Sequence, residues 1–212
     1  MSKGYTYIIR RDYGFAPNPF GGVCTLATCK PAIRKNAVPG DYIFGISPKD
    51  LGNKLVYAMR VHEKMTFNEY WNDERFQSKK PIMNGTPKTA YGDNIYYLVD
   101  PKHNTWHQSD SHHSYEGGVI NKTNLNRDTS SNAVLIAYEF FYFGSTIRDV
   151  PKEFETILTK TGDKHYPLGI GHKPLSEEEC IPIWEWLKAE YSYGIKDFPL
   201  LFKKGFERYD GN

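Results

Sequence analysis

Along the chain, apolar positions fall into short alternating runs broken by Gly, Pro, Asn and Asp, a pattern of many brief strands with a few interposed helices. Tyr5 to Arg10 (YTYIIR) predicts a strand that ends at the Arg11–Gly14 turn. GFAPNPFGG, with two prolines and three glycines, predicts an irregular loop. VCTLAT reads as a strand, and Pro31 opens a helix that Pro39-Gly40 stops. GDYIFGI and KLVYAMRVHEKM read as an antiparallel pair. In MTFNEYWNDERF, Thr66 as N-cap, Glu69 three residues on, and the stripe Phe67, Tyr70, Trp71, Phe76 predict a helix. Lys79 to Tyr91 reads as loop and NIYYLV as a strand. Asp100 to Asn132 is polar throughout and reads as a long functional or mobile loop. NAVLIAYEFFYFG gives the strongest strand signal, a central one. VPKEFETIL and SEEECIPIWEWLKAEY predict helices, the second capped by Ser176, with Pro182 near its start or bending it. The fold class expected is α+β: a mixed, largely antiparallel curved sheet with flanking helices.

The length, 212 residues, suits one domain over 1–212, with a helical and aromatic C-terminal extension from about 176. Sixteen Tyr, 12 Phe and 4 Trp mean that rings supply much of the core, and rings also stack on bases. Because 27 basic residues face 25 acidic ones, no overall field attracts duplex DNA, and any nucleic-acid contact must be local. No segment has signal-peptide character or approaches the roughly 20 apolar residues that span a bilayer, so a cytoplasmic protein without a membrane partner is expected. Cys24, Cys29 and Cys180, sparse and odd in number, read as free thiols.

The richest stretch is Asp12 to Arg34. It reads as a polar pocket of loop, strand and helix mouth carrying Asp12, Asn18, Phe20, Cys24, Cys29, Lys30 and Arg34. Lys30 and Arg34, four apart near a helix start, suit an anion; a solvated basic pair is the alternative. Cys29 is a candidate nucleophile, since a helix start and a neighbouring Lys both favour a thiolate, although no His or acid is tied to it by sequence and packing thiols are common. Cys-x4-Cys matches no zinc spacing, and neither metal nor cofactor is expected. KHNTWHQSDSHHS collects His103, His107, His112 and His113 around Asp110 without a zinc spacing. It reads as a lid, with Trp106 and His107 closing over a planar ligand and His113 adding to the pocket. The catalytic candidates are thus Asp12, Cys29 and His112. Asn18, Asp73, Arg75 and Asp93-Asn94 stand at element ends, as caps or as readers of a base edge.

GFAPNPFGGVCTLATCKPAIRKNAVPGDYIFG, followed by VYAMRVHEKMTFNEYW, GDNIY, WHQSDSHHS and FFYFG, resembles the nucleotide modification associated domain family, type two, over residues 5 to about 175. The resemblance implies a setting of DNA base modification or phage conflict, without a transferable reaction. The order helix, Gly40-Asp41 turn, strand and T-F-x-E-Y helix is also similar to PUA-like barrels of the ASCH and EVE type, which implies a partly open barrel with a structural Gly-Asp turn and a base-holding cleft. The leading expectation is binding or processing of a nucleotide or modified base in DNA or RNA. The rivals are an enzyme using Asp12, Cys29 or His112, and a non-catalytic interaction component with a protein partner encoded nearby through FPLLFKKGF.

Overall fold

The computed structural model describes residues 3–161, 166–167 and 171–211. Its main sheet has six strands in the order β12-β1-β3-β4-β9-β13: His172–Leu175, Gly4–Ile8, Tyr42–Ile46, Leu55–Arg60, Phe140–Tyr142 and Gly194–Ile195. Only the β1–β3 and β9–β13 pairs are parallel. A second sheet has the order β2-β8-β5 (Cys24–Leu26, Val134–Ala137, Glu63–Met65), antiparallel throughout. The hairpin β6–β7 (Tyr96–Asp100, Thr105–Gln108) and the short pair β10–β11 (Lys160–Thr161, Tyr166–Pro167) complete the strands described.

The two larger sheets share chain at two corners, where β4 runs on into β5 and β8 runs on into β9. His62 N–H donates to Ile136 O at 2.8 Å at this corner. The result is a mixed α+β fold with an open curved sheet; among the described residues it does not close into a barrel. NAVLIAYEFFYFG is therefore not one central strand. It turns at Tyr138-Glu139 and feeds both sheets, a change of partner that an uninterrupted apolar run conceals.

Alternation along each strand divides the core into layers. Tyr5, Tyr7, Ile43 and Met59 meet Leu26, Leu135 and Ala137 between the sheets. Phe44, Ala58 and Phe141 face the helices α5 (Lys152–Thr159) and α6 (Glu177–Glu190). Val134 and Ile136 face a third cluster with Phe67, Tyr70, Phe76 and Tyr96. Helix α6 lies so close to β1 that a β-carbon on Gly4 would come within 2.4 Å of the Cys180 sulfur. Its expected cap is present: Ser176 and Glu179 form a reciprocal capping box, and the helix continues through Pro182. Asp41 is buried and accepts from Lys3 N–H and Val38 N–H, which fits the structural role expected of the Gly40-Asp41 turn.

Other expectations need correction. The Thr66-capped helix α2 (Phe67–Asn72) ends at Asp73, whose side chain caps a separate 3-10 turn over Glu74–Lys79, because Asp73 has extended backbone. The Lys79–Tyr91 loop contains a short helix, α3 (Pro87–Ala90). The supposed long loop Asp100–Asn132 holds β7 and the helix α4 (Lys122–Thr129), which carries only one apolar side chain, Leu125, and so escapes a hydrophobicity pattern.

Candidate active site

Cys29 sits between β2 and the helix α1 (Pro31–Asn36), at a tight strand-to-helix turn. It and Lys30 both have left-handed backbone, φ 55° and 41°, a conformation that costs a side-chain-bearing residue about 1–3 kcal/mol and persists only where surrounding bonds over-determine it. Those bonds are present. Cys29 N–H donates to Asp128 Oδ1 at 3.0 Å, and Cys29 O accepts from Arg34 Nε at 2.8 Å. The same guanidinium donates to the carbonyls of Asp128, Ser131 and Ala133, all within 2.8 Å. Arg34 therefore fixes the turn against the end of α4. It is fully buried with its donors committed to carbonyls, so it cannot share an anion with Lys30, and the Lys30/Arg34 anion site is corrected accordingly.

Behind Cys29 lies a line of polar atoms. Its Sγ is 3.8 Å from His113 Nε2, and His113 Nδ1 donates to Asp128 Oδ2 at 2.7 Å. Asp128 Oδ2 also accepts from Tyr96 OH at 3.0 Å. His113 is held edge-on by Phe15, with ring centroids 4.6 Å apart, and its carbonyl accepts from Gln108 Nε2 and Asn124 Nδ2. Burial disfavours a charged His113, but Asp128 and the Cys29 sulfur outweigh it and raise its pKa to about 9. Asp128 is opposed by burial likewise, yet the His113 and Arg127 charges hold its carboxyl down at about 2. Through neutral pH the pair is imidazolium and carboxylate, with the second imidazolium N–H directed at the sulfur. Cys29 alone of the line reaches solvent; His113 and Asp128 are buried.

The three ligand-type atoms lie within 4.8 Å of one another, close enough to invite a metal reading. The thiol and the carboxylate, however, occupy opposite nitrogens of one imidazole, so the three do not converge on a single ion. This is the geometry of a sulfur, a proton carrier and an orienting carboxylate.

The remaining expected site residues disperse. Cys24 is buried in β2, and burial raises its thiol pKa strongly. Asn18 is saturated, accepting from Phe20 N–H and Lys79 Nζ and donating to Tyr91 O. Phe20 stacks on Phe202 of the C-terminal tail. Asp12 accepts from Tyr142 OH at 2.5 Å and Leu200 N–H at 3.1 Å, and so fastens the tail. Lys30 stays at the mouth, its ammonium 4.6 Å over the Tyr7 ring. The expected lid divides in two. Trp106 packs edge-on against Phe67, and His107 stacks on Tyr97 at 4.6 Å, on the outer hairpin, whereas His113 meets Cys29. His112 is the neighbour of the ring that meets Cys29 and Asp128, not that ring itself. Its Nδ1 donates to Glu207 O at 2.6 Å, and burial together with the His113 charge lowers its pKa to about 3.

Asp128 was not anticipated. Its signal was present as Asn121, Asn124 and Asp128, buried polar residues three and four apart, the first the N-cap of α4 and the other two on its buried face.

The fold and site define a mixed α+β protein that presents an accessible thiol backed by a buried His–Asp pair. The chain belongs to the nucleotide modification associated domain 2 family, whose model matches residues 1–205, and the family's description ties it to nucleotide modification. No curated protein and no solved structure matches it. Among the described residues no helix is long and apolar enough to cross a membrane.

Proposed function

We propose that the protein is a thiol-dependent enzyme of nucleotide modification, acting by acyl transfer or hydrolysis on a nucleotide or a modified base. The observation that carries this reading is the line Cys29 Sγ, His113 and Asp128, with contacts of 3.8 Å and 2.7 Å. The Cys29 sulfur attacks a carbonyl carbon as the thiolate, the leaving nitrogen or oxygen takes a proton from His113 Nε2, and the neutral imidazole then takes a proton from the water or amine that attacks the thioester and expels the thiolate. Asp128 keeps the His113 tautomer and orientation constant through both steps. The left-handed turn presents the sulfur as strained strand-to-helix turns present nucleophiles in other hydrolases.

Iodoacetamide labelling followed by mass spectrometry tests the Cys29–His113 contact without a known substrate. Cys29 should be the site labelled, and His113→Gln should slow its labelling by about 10-fold or more, the range expected when a thiol loses a charged partner. Equal rates in wild type and His113→Gln would sink the catalytic reading and leave Cys29 a packing thiol.

A further inference from the structure

We infer that the substrate reaching Cys29 carries a phosphate group, bound in the adjoining cleft by Arg10, Arg11 and Lys204; the inference rests on the thiol reading above and names its substrate class. The cleft, about 590 Å³, lies between the end of β1 and the C-terminal tail. That volume suits a nucleotide. Its basic lining is Arg10, Arg11, Lys204 and Arg208. The carboxylates of Asp50, Glu207 and Asp210 also line it; Arg208 pairs with Asp110 at 2.7 Å, and Glu207 accepts the Tyr13 hydroxyl and keeps its charge, so a phosphate would be held by directed arginine and lysine donors rather than by a net positive lining. Arg10, Arg11 and Lys204 are all exposed.

Tyr209 links the cleft to the His113 ring that meets the Cys29 sulfur. Its ring lines the cleft and lies 5.7 Å from the His113 ring. The Arg11 guanidinium sits 4.7 Å from the Tyr209 ring centroid and that of Arg127 5.3 Å, while the Lys30 ammonium rests on Tyr7. Such contacts orient a cation without neutralising its charge. Arg10 lies near enough to Lys30 for the two charges to repel. Basic side chains thus run from the cleft to the mouth of the Cys29 turn, in a chain whose overall charge is only +2. An anion bound there offsets that crowding, and Arg favours phosphate through its forked donors.

Calorimetry on the full chain carrying Cys29→Ala tests this with four probes: pyrophosphate, deoxynucleoside 5′-monophosphates, the matching nucleosides, and a short single-stranded oligodeoxynucleotide. The monophosphates should bind and the nucleosides should bind at least ~10-fold more weakly, as loss of a charge-assisted contact implies. Preference for the oligonucleotide over the monophosphates would assign the phosphate to a nucleic-acid backbone, and the reverse to a free nucleotide. Arg10→Ala with Arg11→Ala should weaken binding by ~10-fold or more and Arg11→Lys by less; both sites are exposed, so folding is not at issue. Equal affinity for nucleoside and monophosphate, or indifference to the arginine variants, overturns the inference. Labelling of Cys29 that still depends on His113 would then show that the thiol reading survives it.

Discussion

Two buried polar clusters hang from the same short strand, β2, and only one of them opens to solvent. Around Thr25, the Lys79 ammonium is held by Asn18 O, Asn18 Oδ1 and Val23 O, all within 3.0 Å, and Asp93 accepts from Thr25 Oγ1 and Tyr70 OH. Lys79, Asp93 and Asn18 are at most 3% exposed. The second cluster, just beyond the strand, is built of similar groups: Arg34, Asp128, His113 and Tyr96, equally buried. It differs in ending on a half-buried cysteine, at a backbone turn of unfavourable conformation. Buried charge with every partner satisfied serves the fold. The same charge aimed at a partly exposed thiol is what the proposed chemistry needs.

The largest effect should come from breaking the closed cluster. Lys79→Met leaves three oxygens of Asn18 and Val23 buried without their donor and removes the cation whose charge acts on Asp93, and disrupting such a buried charged network costs about 3–5 kcal/mol. Urea unfolding should show that loss, while Cys29→Ser should change stability by under about 1 kcal/mol. Comparable destabilisation by the two would erase the distinction between a structural and a reactive cluster.

Next in size is the pH dependence set by His112 and His113, neighbours with opposite shifts. His113, raised to about 9, contributes stability fully below its unfolded value of 6.5 and loses it as pH rises through about 9. His112, lowered to about 3, works the other way, since the unfolded chain takes up a proton below 6.5 that the folded chain refuses until about 3. Each limb amounts to a few kcal/mol, and stability from these two groups peaks near pH 6.5. Thermal melts across pH should lose the alkaline limb in His113→Gln and the acid limb in His112→Gln. A profile unchanged by either variant contradicts the assigned charge states. Any turnover that uses His113 as an acid should likewise fall as pH rises through about 9.

Much of the fold is legible locally. Thr66 and Ser176 cap their helices through bonds to residues three positions away, and the Gly40-Asp41 turn depends on its own neighbours and Lys3. The site is not local. Cys29 can be singled out from its place before Pro31, but its partners lie 84 and 99 residues away in a stretch whose single helix buries polar side chains. Hydrophobic periodicity cannot register a helix that packs through Asn and Asp. It equally cannot separate His112 from His113, because what divides them is the Asp128 carboxylate on one ring and the Glu207 carbonyl on the other.

The smallest effect concerns Asp12, a buried carboxylate that from sequence rivalled Cys29 as a catalytic group. Burial raises its pKa, against the pull of Tyr142 OH and the Leu200 and Gly14 amides. Asp12→Asn removes the charge and relieves that burial cost, but it turns an amide donor toward Leu200 N–H or Tyr142 OH. The two changes oppose each other, so the net change should stay within about 1–2 kcal/mol, the scale of one buried hydrogen bond. Its consequence should appear in the tail: Leu200 and Leu201 N–H, both bonded to Asp12, should exchange with solvent faster. Cys29 labelling should stay within about two-fold of wild type, since no bond joins Asp12 to the Cys29 line and separate sites act additively. A ten-fold drop in labelling would mean that the tail, through Tyr209 against His113, sets the geometry of the thiol, and the cleft and the buried pair would have to be treated as one unit.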